Sequence, residues 1–180
     1  MTSEVGSRRD ELLAIALEVL ERDGLDNLSI GEIARQAGIK PPSLYKQFDG
    51  KADIQARLIQ WGDAVAAEQF IQAIDAIGTD ATYRESIATF ARAYRAFGLE
   101  HPQLYRLMMD HDALRTRLSP ELEELTRKRY DAIFRDALSA RSFWAWAHGL
   151  LGLELAHRYP VDVDVDALWD ELIDTISRDA

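Results

Sequence analysis

Lys40, Ser43, Tyr45 and Lys46 lie in one short stretch of this 180-residue chain, and their types suit contact with a polyanion. Leu44 and Phe48 are four residues apart. On a helix they share a face and can anchor it while Lys40, Ser43 and Lys46 point away and Tyr45 rests its ring on the fold and offers its hydroxyl. Ammonium and hydroxyl groups donate to phosphate oxygens, and donors that enter a groove of duplex DNA also read base edges. Tyr45, Lys46 and Lys51 are expected on phosphates, Lys51 from a helix start where backbone amides favour an anion. Lys40, Pro41, Pro42 and Ser43 are expected at base edges, the prolines through apolar contact of the kind a thymine methyl accepts. Ser29 opens a neighbouring helix. Arg8 and Arg9 stand before or within the first turn of another, and these three complete the expected DNA-contact set.

Other groupings of reactive side chains are thinner. Glu154-x-x-His157 puts two ligand types on one helical face, as in carboxylate-bridged metal bundles, but those need a second copy and two further glutamates. Glu154 has a simpler partner in Arg158, four residues on. Asp110-His111-Asp112 gathers possible ligands beside a helix end, where adjacent residues do not share a face. His148 lies in an apolar helix beside Gly149, a packing position. No nucleophile–base–acid arrangement can be assembled by spacing, and no glycine loop for phosphate is present. With no cysteine, disulfides and thiolate chemistry are excluded. No metal, cofactor or enzymatic activity is expected.

The elements that must position the polar set are helical. Apolar residues recur at helical spacing almost throughout, and the one alternating stretch, Val161–Asp166, follows Pro160 and reads as a connector. The first helix is expected over Arg8–Asp23, with Ser7 as N-cap, Leu13, Ala16, Leu17 and Leu20 as its apolar stripe flanked by Leu12 and Val19, and Gly24 as its stop. Ser29-x-x-Glu32 matches a capping box opening a second helix, with Ile30, Ile33, Ala34 and Ala37 inward. Gly38 supplies a turn, and Pro41 and Pro42 fit the first turn of a third helix. A helix over Lys51–Ile77 would span about 40 Å. Further helices are expected over Thr82–Leu99, from Pro102 to about Asp110, and over Ser119–Ala140, Arg141–Tyr159 and Asp166–Arg178. The fold class is all-α: a helix-turn-helix domain at 1–50, with the motif at 29–48, and a helical bundle at 51–180.

Charge opposes the DNA reading in bulk. The net charge is -10, and acidic residues outnumber basic ones even within residues 1–50. Acidic balance repels nucleic acid, so DNA binding has to come from a few well-placed cations. Hydrophobic residues make up 47% of the chain, enough to fold. Residues 1–9 lack the apolar core of a signal peptide. The most apolar stretch, 143–156, is interrupted by His148 and Glu154 and is shorter than the roughly 20 residues a membrane span needs. A soluble cytoplasmic protein with no membrane partner is expected.

Residues 7–54 resemble the DNA-binding domain of the TetR family of bacterial transcriptional regulators. The resemblance rests on Leu28, Ser29, Ile33, Ala34, Ala37, Gly38 and Ile39, then Leu44, Tyr45, Phe48 and Lys51, at fixed spacing. The chain departs from that pattern at Lys40, where the family often has a capping serine, and at Gly31, where many members carry a larger side chain near the groove. His101-Pro102-Gln103-Leu104-Tyr105 and Trp144-Ala-Trp146-Ala-His148-Gly149 resemble a C-terminal class of the family named for its Trp-His-Gly pattern.

The resemblance implies a homodimer that places two recognition helices in successive major grooves of a near-palindromic double-stranded operator. It also implies a small apolar or amphipathic effector, and action as a repressor released by that effector. Phe143, Trp144, Leu150, Leu151, Leu155, Leu168, Leu172 and Ile176 are the interface candidates on the last two helices. Phe70, Phe90, Tyr94, Phe97, Tyr105, Met108, Met109, Tyr130, Phe134 and Trp146 are the pocket candidates. The alternatives are a helical ligand-binding or interaction protein without DNA binding, and a metal-dependent helical-bundle enzyme resting on Glu154 and His157.

Overall fold

A computed structural model of the chain describes residues 7–110 and 133–178. Eight helices occur among them: α1 (Arg8–Asp23), α2 (Ile30–Gln36), α3 (Pro41–Leu44), α4 (Lys51–Ile77), α5 (Tyr83–Glu100), α6 (Pro102–Asp110), α7 (Ala137–Leu155) and α8 (Val165–Ser177). The helix expected over 119–140 lies outside the described residues as far as residue 132. Beyond that, α7 begins at Ala137 and runs through the break expected at 140/141. Asp136 starts it by accepting from the Ser139 amide at 2.7 Å. It ends at Leu155, before Pro160.

Caps explain most helix ends. Ser7 and Asp10 close a reciprocal capping box on α1, with Ser7 N–H to Asp10 at 2.8 Å and Asp10 N–H to Ser7 Oγ at 3.3 Å. Thr82 and Glu85 do the same for α5, at 2.7 and 3.2 Å. Gly24 stops α1 at φ 78, a left-handed conformation open to glycine. The capping box expected at Ser29 is only half made. Ser29 Oγ accepts from the Glu32 amide at 3.2 Å, but the Glu32 carboxylate is taken by two arginines instead of returning to the Ser29 amide. A charged guanidinium is the stronger donor.

Two compact units emerge. One contains the described residues up to Asp63 together with α6; the other contains residues 64–100 and the described residues from 133 onward. The sequence places the division at 50/51. Compactness places it inside α4, and α6 joins the first unit across a long gap in sequence.

In the first unit, α1 packs on α2 and α6, and α2 packs on α3. Its core includes Leu12, Ala16, Val19, Leu20, Leu28, Ile33, Leu44, Phe48, Leu58 and Leu104. The α1 stripe is therefore rotated from the expected one: Leu12 and Val19 are buried, while Leu13 and Leu17 are half-buried at its edge. In the second unit, α8 packs on α5 and α7, and α5 on α7. Phe90, Tyr94, Phe143, Leu151, Trp169 and Leu172 lie at its centre.

Candidate nucleic-acid interface

The short α3 is built to turn one face inward and leave the other in water. Lys40 is extended (φ -86, ψ 145) and offers no side-chain cap; Pro41 and Pro42 occupy the first two helical positions, where no amide is needed. Gly38 at φ 65 makes the preceding turn, closed by the Ile39 amide on the Ala34 carbonyl at 3.0 Å. The helix is shorter than expected. It ends at Leu44, and residues 45–47 continue as a turn tied by the Phe48 amide to the Leu44 carbonyl at 3.1 Å. Leu44 and Phe48 are buried at 0% and 2% exposure. Lys40, Pro41, Pro42, Ser43, Tyr45 and Lys46 are all exposed on the other side, Tyr45 to 59%.

The remaining members of the set lie on α1, at the start of α2 and at the start of α4. Ser29 is exposed at the start of α2. Lys51 opens α4, but its ammonium donates to the Leu25 carbonyl at 3.1 Å and is half-buried. One proton of three is thus committed to the fold, leaving two for a phosphate. Arg8 pairs with Glu11 at 2.7 Å, and Arg9 is exposed one residue further on.

Arg22, which sequence reasoning alone misses, ties the end of α1 to α2 of the motif. It grips Asp23 with two nitrogens, at 2.8 and 2.6 Å, reaches Glu32 at 3.0 Å, and donates to Gln36 at 3.2 Å. Arg35 binds Glu32 from the other side, Nε to carboxylate at 2.8 Å. Arg22, Asp23, Glu32 and Arg35, with Asn27 and Ser29, line an open cleft of about 480 Å³. The Arg35 hydrogen bond first, and the nearby charges of Arg35 and Arg22 with it, hold the Glu32 carboxyl below the ordinary glutamate value of 4.5. Arg22 likewise lowers Asp23, and both guanidiniums are raised in turn. One cation before the motif, Arg22, and one within it, Arg35, are thus paired internally. The i,i+3 spacing of Glu32 and Arg35 is visible in the sequence; the tie from Arg22 across the α1–α2 turn is not.

The described pocket candidates are divided between the two units. Phe70, Phe90, Tyr94, Phe97 and Phe134 belong to the second unit and are buried. With Phe143, four of them form a continuous ring cluster: Phe90 meets Phe70, Phe134 and Phe143 at centroid distances of 5.0, 5.6 and 5.1 Å, and Tyr94 meets Phe143 at 6.1 Å. Rings at these separations are packed on each other. Tyr105, Met108 and Met109 lie instead on α6, in the first unit. Trp146 is 37% exposed on the outside of α7, and Tyr130 falls outside the described residues.

The interface candidates also divide. Phe143, Leu150, Leu151 and Leu172 are buried within their own unit, so they are not surface groups. Leu155, Leu168 and Ile176 are half-buried. The exposed large apolar residues of α7 are Leu138, Trp144 at 48%, Trp146 and Leu153 at 47%; Leu138 and Leu153 were not among the interface candidates. Trp144 stacks on His148 at 5.6 Å with planes 7° apart. Ala145 and Gly149 lie between these bulky groups and are exposed.

Glu154 turns to Arg95, not to Arg158. Its carboxylate accepts from Arg95 Nε at 3.0 Å and Nη2 at 2.6 Å, and from Trp169 Nε1 at 3.4 Å. Arg95 also binds Asp166, so one guanidinium joins α5, α7 and α8. His157 stands apart at φ 51, exposed beyond the end of α7. The pairing on which the metal alternative rested is therefore not formed. His111 and Asp112 lie outside the described residues.

Comparison with known proteins agrees with this geometry. Residues 12–58 match the family of bacterial regulatory proteins called tetR, and residues 87–176 match the tetracyclin repressor-like C-terminal domain. A helix-turn-helix transcriptional regulator of Mycobacterium tuberculosis, Rv0681, is 27% identical over 175 residues, spanning 92% of this chain and 78% of that one. The transcriptional activator FasR of Mycolicibacterium smegmatis is 26% identical over 171 residues, spanning 87% and 76%. A solved structure from Rhodococcus sp. RHA1 shares 25% identity and superposes with a TM-score of 0.77 over 98% of this chain and 96% of that one.

Proposed function

The chain belongs to the TetR family of bacterial DNA-binding transcriptional regulators, and from that premise we propose that it is a homodimeric repressor released from its operator by a small apolar or amphipathic molecule. The observation that carries the DNA-binding surface is the sidedness of α3. Leu44 and Phe48 are buried while six consecutive or near-consecutive residues, Lys40 to Ser43 with Tyr45 and Lys46, face water. In this reading Tyr45, Lys46 and Lys51 hold phosphates, with Arg8, Arg9 and Ser29 on the flanking backbone. Lys40, Pro41, Pro42 and Ser43 meet base edges.

The dimer form follows from the exposed apolar strip of α7. Trp144 and Leu153 flank the small Ala145 and Gly149, a surface that a second copy can cover. Two copies then present recognition helices about 34–36 Å apart on a near-palindromic site. Residues 1–50 serve as the DNA-binding domain and 51–180 as the effector and dimerisation domain, within the cytoplasm where the DNA is. The effector acts through α4, which runs from one compact unit into the other, by binding one arrangement of the dimer better than the other.

Binding to duplex fragments recovered from the source genome by the protein itself tests this reading. Lys46 and Lys51 of two copies alone give a slope of log affinity against log salt of about -3.6, a loss of at least roughly a hundredfold from 50 to 200 mM, and Arg8 and Arg9 steepen it. Tyr45→Ala with Lys46→Ala should abolish the shift and leave the fold intact by circular dichroism. A folded double variant that binds as well as the parent refutes the surface assignment. The regulated gene's transcript in a deletion strain decides the sign: a rise supports repression, and a fall makes the protein an activator, the role for which its Mycolicibacterium relative is named.

A further inference from the structure

The start of α6 is a helix end that its own sequence cannot complete. Its first residue, Pro102, has no amide hydrogen, and the Tyr105 amide finds the His101 carbonyl at 2.8 Å. The Gln103 and Leu104 amides remain. Both are taken by one carboxylate from far away in the chain: Gln103 N–H donates to Glu21 Oε2 at 3.0 Å and Leu104 N–H to Glu21 Oε1 at 2.9 Å. An anion at this end also meets the positive pole of the α6 dipole. Glu21 sits in the last turn of α1, one turn before Gly24, so α1 supplies the cap that α6 lacks.

The same end of α6 is fixed from α4. The His101 ring stands edge-on to Trp61 at 5.7 Å. Gly62 lets α6 come close: a β-carbon there would lie 2.7 Å from Met108 Sδ and 3.1 Å from Leu104 Cδ2. α5 ends at Glu100 and α6 begins at Pro102, so His101 alone joins them.

We propose that Glu21 is a positioning residue for DNA binding, the latch by which α6 is fastened to α1 and held as a structural part of the helix-turn-helix unit. The proposal rests on the DNA-binding reading above. It adds that the surface around α3 keeps its shape only while a helix some 80 residues downstream in sequence is docked through two charge-assisted hydrogen bonds. These bonds are stronger than neutral ones and leave two amides unpaired when the acceptor is removed.

Amide hydrogen exchange on the full chain tests the latch without DNA. In Glu21→Ala, the Gln103 and Leu104 amides should exchange at least about tenfold faster, and protection in α1 and α4 up to Asp63 should fall with them. Protection at α8 should stay as in the parent. Glu21→Gln keeps the size and one acceptor oxygen, so its exchange should fall between parent and alanine variant. DNA affinity, measured on a fragment selected by the parent protein, should drop in the same order. Parent-like exchange at Gln103 and Leu104 in both variants overturns the proposal. So does fraying confined to α6 with α1 protection and DNA affinity unchanged. If the parent selects no DNA, the DNA-binding reading fails, while the exchange results still decide whether the latch exists.

Discussion

Gly98→Ala should weaken the second unit although alanine is the better helix former. Gly98 is buried in α5 against α7. A β-carbon there would stand 2.4 Å from Leu151 Cδ2, 3.2 Å from Cγ and 3.3 Å from Cδ1. The first contact alone could be relieved by swinging one methyl. All three together require the whole Leu151 side chain to shift, and that residue is fully buried. Overpacking of this kind costs about 1–3 kcal/mol, and three close atoms argue for the upper half of that range. The gain in helix propensity offsets about 1 kcal/mol. The net loss is about 1–2 kcal/mol, a fall in melting temperature of roughly 2–8 °C for a chain of this length. Thermal unfolding followed by circular dichroism, with urea titration beside it, measures it. Leu151→Ala alone should cost about 2–5 kcal/mol by leaving a cavity. The double variant places the new methyl in that cavity, so it should be more stable than the sum of the singles by about 1 kcal/mol or more. A Gly98→Ala protein as stable as the parent, or strict additivity in the double variant, would refute the close-packing argument.

Gly31 is the opposite case: it is exposed in the first turn of α2, with nothing within 4 Å of the place a methyl would take, so Gly31→Ala should raise stability by about 0.5–1 kcal/mol in the same assays. Glu32→Gln should release Arg35 from neutralisation. DNA affinity at low salt should rise several-fold and the salt slope should steepen by about one charge per copy; lower affinity would show that the arginines need Glu32 for placement. The Glu32 carboxyl is held below 4.5 in the folded protein, so its contribution to stability is present above that value and is lost as pH falls through the lowered one. The urea midpoint of Glu32→Gln should therefore fall less than that of the parent between neutral pH and the acid region. Leu153→Glu places a charge on the exposed strip of α7 and should shift the protein towards monomer in sedimentation analysis; an unchanged oligomeric state would place the interface elsewhere.

Local signals make the helices readable. Ser7 with Asp10, Thr82 with Glu85, Gly24 and the two prolines of α3 act within a few residues of themselves, and the limits of α1, α4 and α6 follow from such neighbours. The sidedness of α3 is legible for the same reason, because Leu44 and Phe48 reveal a face by their spacing. Choices among distant partners are not legible. Glu154 has Arg158 at helical distance in sequence but pairs with Arg95, 59 residues away, whose guanidinium also reaches Asp166. On α7 the apolar residues surround the axis, so periodicity cannot say which of Phe143, Trp144, Leu151 and Leu153 turn inward. The aromatic residues of the bundle are legible as apolar, yet only packing separates rings that fill a core from rings that border a cavity. Arg22 escapes notice because it precedes the motif and joins it only once α1 and α2 are folded together.

The double cap on α6 bears on how such regulators can be cut and recombined. The unit that carries the recognition helix is discontinuous in sequence, with residues up to Asp63 and a second piece from His101 onward. A fusion that transplants only the first piece onto a foreign effector domain carries a Glu21 carboxylate and a Gly62 groove shaped for a helix left behind. Chimeras therefore need α6 to travel with the DNA-binding helices, or need the recipient's corresponding helix to present a proline start and two free amides at the same place. Modularity in this architecture is set by which helices dock together, and a single crossover point in the gene does not preserve it.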